Sequence, residues 1–199
     1  ALSLESEVIP WAMAAYSPDG RQLATGNQAG AASVWDPLAG EWLFSLPEVD
    51  EGAGTWKVVF SPDGTQLAVA AGNGPVHLYD LASQDPIQTL TGHVAPVPDM
   101  SFSPDGKRLV TAGFDGLGAV WDLASGQVTT LTHDEPFLFG IAFNPDGSRV
   151  ATVSPMTEQA AEEIGVFEWD AVTGEELRMF PVDTLSIYSV RYSPDGKLL

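Results

Sequence analysis

Short apolar runs alternate with turn residues along the whole chain, and one arrangement recurs five times. Each copy places a Ser/Asn-Pro-Asp-Gly phrase between two apolar runs, at residues 17–20, 61–64, 103–106, 144–147 and 193–196. Short, partly alternating runs with turn residues at both ends are typical of β-strands. Pro presets the backbone for a turn, Asp can bond nearby amides and Gly accepts a positive φ. Each phrase therefore predicts the tip of a β-hairpin.

A second phrase follows each of the first four hairpins. Trp35-Asp36, Tyr79-Asp80 and Trp121-Asp122 place their Asp 19 residues after the first residue of the preceding hairpin phrase, and Trp169-Asp170 places it 26 residues after. Another turn and a further apolar run then close each unit, as in Ile87-Gln88-Thr89-Leu90. The hairpin phrases recur every 41 to 49 residues, which predicts a repeat architecture with four strands in each unit.

Thr91-Gly92-His93, Phe102-Ser103-Pro104-Asp105-Gly106 and Val120-Trp121-Asp122 together resemble one WD repeat of the β-propeller family. The resemblance covers essentially the whole chain, because the hairpin phrases and the Trp/Tyr-Asp phrases stay in register. It implies an all-β fold, a β-propeller built from four-stranded antiparallel blades around a central channel. We expect four complete blades and a partial fifth, as a piece of a larger ring of about seven blades.

The repeats predict one incomplete propeller domain over residues 1–199. Its blades are expected at about 10–46, 55–90, 97–131 and 138–180, with a partial fifth at 187–199 and the last strand of a preceding blade at 1–5. Such a piece alone would leave open strand edges, which natural sheets close, cover or charge. We therefore expect the remaining blades of the same propeller to be partners of this segment.

The resemblance also implies a structural tetrad in the third repeat, formed by His93, Thr111, Asp115 and Trp121. A buried indole N–H needs an acceptor, and a hydroxyl can accept and donate at once. The same His, Thr and Asp superficially resemble a nucleophilic triad. Because the hydroxyl is expected to be committed to Trp121, the structural role is favoured, and no catalytic residue is predicted.

The acidic balance of the chain limits the partners that it can bind. It has 27 acidic and 8 basic side chains, a formal charge of −19, and the bases are scattered. Nucleic acids and anionic membranes require clustered Lys and Arg, so neither is an expected partner. The acidity fits solubility and Asp-containing turns, and it also fits a basic protein or peptide partner. No apolar run reaches the length of a membrane span.

No residue pattern predicts a cofactor or a metal site. The chain has no Cys, which excludes disulfides and thiolate ligands. His133 with Asp134 and Glu135 has the residue types of a metal site, but no second His is near in sequence, and a solvated acidic loop is favoured. His77 is expected on a sheet face. No Gly-rich phosphate loop that opens a helix is present.

Aromatic residues near the start of the innermost strands are the candidates for a binding surface. An aromatic residue directly precedes each hairpin phrase. The resemblance implies that the side chains four and six residues before this aromatic residue project onto the binding face. These positions are Pro10, Ala12, Gly54, Trp56, Pro96, Pro98, Phe137, Phe139, Ser186 and Tyr188. The partner-binding residues selected from them are Trp56, Phe137, Phe139, Tyr188, Pro96 and Pro98. Large aromatic side chains anchor protein interfaces, and the alternative is that they are core side chains of the inner strands.

The fourth repeat carries a seven-residue insertion around residues 154–163. It is expected between the second and third strands, on the same face as the loops that lead into the innermost strands. Insertions in repeat proteins often collect on the binding face. Neutral drift in a tolerant loop explains the insertion equally well.

These patterns favour a non-catalytic protein–protein interaction scaffold, one module of a larger multidomain protein. The near-identical hairpin phrases and acidic turns resemble bacterial WD-repeat proteins, and a cytoplasmic location is favoured. The alternative is a propeller that accompanies an enzyme, of the peptidase-associated or periplasmic TolB-like kind, with catalysis outside this chain. Such propellers share Pro-Asp-Gly hairpins but usually lack the Gly-His and Trp-Asp phrases found here.

Overall fold

The apolar runs of the sequence form β-strands in the computed structural model, which describes residues 13–26, 32–47, 54–133, 137–154, 165–182 and 187–199. Strands that follow one another along the chain pair antiparallel, and they build four four-stranded sheets. The described ranges contain no helix, and so no helix long and apolar enough to cross a membrane. This architecture confirms the predicted all-β fold and is consistent with the blades of a WD-repeat β-propeller.

The first compact unit, Ala1–Pro96, contains two of the sheets. The first sheet consists of β1 (Ala14–Tyr16), β2 (Leu23–Gly26), β3 (Ala32–Asp36) and β4 (Glu41–Ser45). The second sheet consists of β5 (Thr55–Phe60), β6 (Gln66–Ala71), β7 (Val76–Asp80) and β8 (Pro86–Leu90). Ala24 and Ala32 of the first sheet share an apolar core with Val58 and Phe60 of β5. The innermost strand of the second sheet therefore packs on the first sheet.

The second compact unit, Val97–Leu199, contains the other two sheets. The third sheet consists of β9 (Asp99–Phe102), β10 (Arg108–Ala112), β11 (Leu117–Asp122) and β12 (Val128–Thr132). The fourth sheet consists of β13 (Gly140–Phe143), β14 (Arg149–Val153), β15 (Gly165–Asp170) and β16 (Glu176–Pro181). Val110 and Val120 share an apolar core with Ile141 and Phe143, so the same packing scheme recurs in this unit.

The side chains of each hairpin phrase close its turn. In the first copy, Ser17 Oγ donates to Asp19 Oδ1 at 2.7 Å and accepts from the Gln22 amide at 2.9 Å. Asp19 Oδ1 also accepts from the Arg21 amide at 3.0 Å. The hydrogen bonds from Ser17 and the Arg21 amide hold the pKa of Asp19 below its usual value. The serine bonds recur at residues 61–64, 103–106 and 193–196.

Neighbouring hairpin tips touch through a proline and a glycine. A Cβ atom on Gly64 would lie 3.6 Å from Pro18 Cδ, in the first unit. In the second unit the matching distances are 3.4 Å from Gly147 to Pro104 and 3.3 Å from Gly196 to Pro145. The proline of one phrase thus lies against the glycine of the next, where a larger side chain would press on the ring.

The Asp of each Trp/Tyr-Asp phrase caps the turn that follows β3, β7, β11 or β15. Asp36 Oδ1 accepts from the amides of Leu38 at 2.8 Å and Ala39 at 2.9 Å. In three repeats this turn ends at a glycine with φ between 71° and 73°, namely Gly40, Gly126 and Gly174. In the second repeat the same position is Gln84, with φ of 64°. Gln84 therefore holds a left-handed conformation that its side chain disfavours.

Gln84→Gly is expected to stabilise the first unit by about 0.5–1 kcal/mol, because glycine adopts this conformation without steric cost. The reciprocal control is Gly126→Gln in the second unit, where nothing lies within 4 Å of the added Cβ, so its cost is conformational. We expect Gly126→Gln to destabilise by about 1 kcal/mol. Urea unfolding measures both changes, and shifts of the same sign in the two variants would contradict this explanation.

Candidate functional site

Four aromatic rings form a continuous row at one end of the second unit. The centroid of Phe139 lies 4.7 Å from that of Phe114 and 5.4 Å from that of Tyr188. Phe137 extends the row, with its ring edge-to-face to Phe114 at 6.1 Å. Tilted and edge-to-face contacts at these distances are favourable for aromatic pairs. Phe114, Phe137, Phe139 and Tyr188 are called the aromatic row below.

Loops at the same end of the third and fourth sheets position the aromatic row. Phe114 lies in the turn between β10 and β11, and Phe137 and Phe139 lie in the segment that leads into β13. The Leu138 amide donates to the Gly113 carbonyl at 3.1 Å, and the Phe139 amide donates to the Val153 carbonyl at 3.1 Å. These bonds join the segment before β13 to the β10–β11 turn and to the end of β14, while the buried side chain of Leu138 anchors the segment in the core.

Gly140 allows the segment that carries Tyr188 to approach the fourth sheet. A Cβ atom on Gly140 would lie 2.8 Å from Val153 Cγ2 and 3.0 Å from Ser189 Cα. Because the first distance is too short for a real Cβ and the second is unusually tight, a larger residue would press on Val153 and on the backbone of residues 189 and 190. The glycine is therefore part of the reason that Tyr188 reaches Phe139.

The aromatic row is open to solvent at both ends. Phe137 has 44% of its surface exposed and Tyr188 has 62%. Phe114 and Phe139 are half-buried between them. Ser154, the first residue of the insertion, lies beside the row, because its hydroxyl donates to the Phe137 carbonyl at 2.7 Å. The other residues of the insertion lie outside the described residues.

The other selected positions lie elsewhere in the two units. Trp56 is half-buried in β5, where the register of the β5–β6 pairing shifts between Thr55 and Lys57. Pro96 closes the first unit, and Pro98 precedes β9 in the second. Pro10, Ala12 and Ser186 lie outside the described residues, as does the strand expected at 1–5. The structure thus brings together Phe137, Phe139 and Tyr188 with Phe114, which the residue pattern did not select.

A tryptophan on the third strand bonds to a threonine on the second strand in three of the four sheets. In each case the indole N–H donates to the threonine Oγ1. The pairs are Trp35 and Thr25 at 2.9 Å, Trp121 and Thr111 at 2.9 Å, and Trp169 and Thr152 at 2.8 Å. Tyr79 holds the equivalent position in the second sheet and donates to the Pro47 carbonyl at 2.8 Å.

The residues expected to form the tetrad are placed as follows. Trp121 and Thr111 are buried and bonded to each other, and Asp115 Oδ1 accepts from the Leu117 amide at 3.2 Å. His93 is buried in the first unit. The Thr111 hydroxyl therefore accepts a buried hydrogen bond from the Trp121 indole, as expected for a threonine with a structural role.

The His133 ring packs on the fourth sheet, so the expectation of a solvated loop was wrong for this residue. Its ring packs edge-to-face on Phe167 and Trp169, with centroid distances of 5.0 and 4.6 Å, and its Nε2 lies 2.9 Å from Thr152 Oγ1. Burial lowers the pKa of His133 to about 4, so the ring is neutral at pH 7. Thr152 can then accept from the Trp169 indole and donate to Nε2.

A sequence feature could have indicated this role for His133. His133 lies 19 residues before Thr152, and His93 lies 18 residues before Thr111. Asp134 and Glu135, the other members of the candidate metal set, lie outside the described residues. Among the residues that are described, no group of three His, Cys, Asp or Glu side chains is placed to hold a metal ion.

Residues 84–122 match the family model of the WD domain, G-beta repeat (WD40). The matched segment runs from the turn before β8 to the Trp121-Asp122 phrase. It contains the residues on which the resemblance rests, so the match supports the WD40-repeat assignment for this part of the chain.

Three eukaryotic proteins are similar to longer or shorter parts of the chain. WD repeat-containing protein slp1 of Schizosaccharomyces pombe is 32% identical over 119 residues, 60% of this chain and 24% of that protein. WD repeat-containing protein 1 of Gallus gallus is 27% identical over 197 residues, 94% of this chain and 31% of that protein. Protein LST8 homolog of Drosophila melanogaster is 36% identical over 72 residues, 36% of this chain and 22% of that protein.

These relatives are all considerably longer than the chain, which spans between 22% and 31% of their length. The names of the Schizosaccharomyces pombe and Gallus gallus proteins support the WD-repeat character of the chain. Because they are eukaryotic, they give no support to the resemblance to bacterial WD-repeat proteins, and that part of the prediction is withdrawn.

Proposed function

We propose that this chain is a non-catalytic protein-interaction module whose binding surface is the aromatic row. WD40-repeat proteins are generally scaffolds without catalytic activity, and the WD-repeat relatives favour the same role here. The observation that carries the proposal is the contact between four rings from three separate loops, with Phe137 and Tyr188 exposed. Aromatic side chains of this kind dominate the binding energy of protein interfaces.

The rings suit the apolar anchors of a partner segment. Phe114 and Phe139 are partly buried and held by neighbouring rings, so little side-chain freedom is lost when a ligand covers them. Phe137 and Tyr188, at the two ends, gain the most from being covered. An extended peptide with two apolar side chains fits this arrangement.

The charge of the chain favours a basic partner. The formal charge of the chain is −19, with 27 acidic against 8 basic side chains. A peptide with Lys or Arg beside its apolar anchors would be attracted to such an acidic chain, and salt would slow its association. We therefore favour a basic protein or peptide over an acidic one.

The proposal also includes the wider organisation of the protein. The four described sheets serve as four blades, and residues 187–199 as the beginning of a fifth, in a larger ring of about seven blades. Trp56, Pro96 and Pro98 remain proposed members of the binding face because of their register in the repeats. The His93, Thr111, Asp115 and Trp121 set remains the proposed structural tetrad of the third repeat.

A displayed peptide library provides ligands for the test. We expect the selected peptides to combine apolar and basic residues, and Phe137→Ala/Tyr188→Ala to weaken their binding at least about tenfold. The matched control is Trp42→Ala, which removes an aromatic side chain with 57% exposure on β4 of the first unit. Fluorescence anisotropy measures the affinity, and circular dichroism checks that each variant is folded.

Two outcomes would count against the aromatic row. One is equal affinity of the selected peptides for the wild-type chain and for Phe137→Ala/Tyr188→Ala. The other is an equal loss of affinity in Trp42→Ala. A separate Trp56→Ala variant shows whether Trp56 contributes to the same binding surface.

A further inference from the structure

Residues 187–199 follow the fourth sheet and contain a combination of polar side chains that the equivalent segments of the other repeats lack. The two residues before each hairpin phrase are Ala15-Tyr16, Val59-Phe60, Ser101-Phe102, Ala142-Phe143 and Arg191-Tyr192. Only the last pair combines an arginine with a tyrosine hydroxyl. Both polar groups contact buried carboxylates of the second unit.

The first contact joins Tyr192 to Glu168 on β15. Tyr192 Oη donates to Glu168 Oε1 at 2.8 Å, while Glu168 Oε2 accepts from Arg178 Nε at 2.7 Å and Arg149 Nη1 at 3.2 Å. Only 2% of Glu168 is exposed. Burial alone would raise the pKa of Glu168, but these donors and the two guanidinium charges hold it below its usual value.

Glu168 stands where the other repeats have an apolar residue. The residue before each Trp/Tyr-Asp phrase is Val34, Leu78 or Val120 in the first three sheets, and all three are buried. Val120 shares its core with Phe143, the innermost-strand aromatic of the next sheet. The Glu168–Tyr192 pair is thus the polar counterpart of the Val120–Phe143 pair.

The second contact joins Arg191 to Asp99 on β9. Asp99 is buried, and its Oδ2 accepts from Arg191 Nη1 at 2.9 Å and from the Ile141 amide at 3.1 Å. Its Oδ1 accepts from Arg191 Nη2 at 3.3 Å. The guanidinium thus reaches across the start of β13 to the third sheet. Val190, which directly precedes Arg191, packs on Ala151 and Val153 of the fourth sheet.

We propose that Glu168 and Asp99 form a two-point recognition site that selects residues 187–192 and rejects the equivalent segments of the other repeats. A segment such as Val58-Val59-Phe60 from a second copy would offer neither the hydroxyl nor the guanidinium. Glu168 and Asp99 would then stay buried with fewer donors, which is strongly unfavourable. Repeat proteins readily misassemble by exchanging similar segments between copies, and this site would prevent one such exchange.

The test measures exchange between copies of the full chain. Two differently tagged copies are unfolded, refolded together and separated through one tag, and the fraction of the other tag that co-purifies is recorded. Glu168→Val/Tyr192→Phe installs the pair found at Val120 and Phe143, and we expect it to fold with a similar urea midpoint. We expect its exchanged fraction to rise at least about threefold over that of the wild-type chain.

Arg108→Ala is the matched control, because Arg108 also joins two sheets without contacting Glu168 or Asp99. Its guanidinium donates to the Gly147 carbonyl at 2.6 Å and stacks on Phe143. We expect this variant to lose stability without a rise in exchange. An unchanged exchanged fraction in Glu168→Val/Tyr192→Phe, or an equal rise in Arg108→Ala, would overturn the proposal. If the double variant does not fold, Tyr192→Phe alone decides, because it removes one hydroxyl and must still increase exchange.

Discussion

Thr152→Val is expected to destabilise the second unit by about 3 kcal/mol. Thr152 is fully buried, accepts from the Trp169 indole at 2.8 Å and lies 2.9 Å from His133 Nε2. Valine has the same shape without the hydroxyl, so the buried Trp169 indole and the half-buried His133 ring lose a partner at once. Each such loss costs about 1–3 kcal/mol. Urea unfolding followed by tryptophan fluorescence measures the change.

Thr25→Val in the first unit is the matched control for this substitution. Thr25 accepts from the Trp35 indole at 2.9 Å, but both residues are partly exposed, so water can replace the lost acceptor. We expect a loss of about 1 kcal/mol or less. Equal losses in Thr25→Val and Thr152→Val would show that burial of the indole does not set the cost.

The stability of the second unit is expected to fall by about 3 kcal/mol between pH 7 and pH 4 through His133 alone. Burial lowers the pKa of His133 from 6.5 to about 4, so the unfolded chain takes up this proton at a higher pH than the folded chain. The contribution of His133 is therefore fully present above pH 6.5. It decreases as the pH falls through that value and is lost below about pH 4.

His133→Gln isolates this contribution, because glutamine can still bond to Thr152 but does not titrate in this range. The other titratable groups are common to both proteins, so the difference between their stability–pH profiles reports His133. We expect that difference to shrink as the pH is lowered, and the His133 ring proton to titrate near pH 4 in NMR spectra. A titration midpoint near 6.5 would refute the burial argument.

The regular part of the fold could be predicted because it depends on local chemistry. Ser17, Asp19 and Gly20 define a turn through bonds within six residues of sequence, from Ser17 to Gln22, so the phrase alone identifies the hairpin. The period of the phrases then gives the number of strands in each sheet. The antiparallel order of the four sheets followed from these short connections.

The contacts that distinguish one repeat from another could not be predicted, because they join residues far apart in sequence. Phe114 lies in a turn with no recurring aromatic position, so only the fold places it against Phe139. No local sequence signal indicates that Glu168 is buried, because the tyrosine that donates to it lies 24 residues further on. His133 was assigned to a loop by its acidic neighbours, although its ring contacts β14 and β15.

The proline–glycine contacts between hairpin tips have a consequence for how such a chain grows. The phrase at residues 144–147 supplies a glycine to one neighbour and a proline to the other, since Gly147 meets Pro104 and Pro145 meets Gly196. A duplicated stretch of the gene would therefore encode both halves of the contact, and the new copy would fit beside its parent without further change. A substitution in one hairpin phrase must instead fit against both neighbouring hairpins. This favours conservation of the Pro-Asp-Gly residues while the rest of the repeat changes.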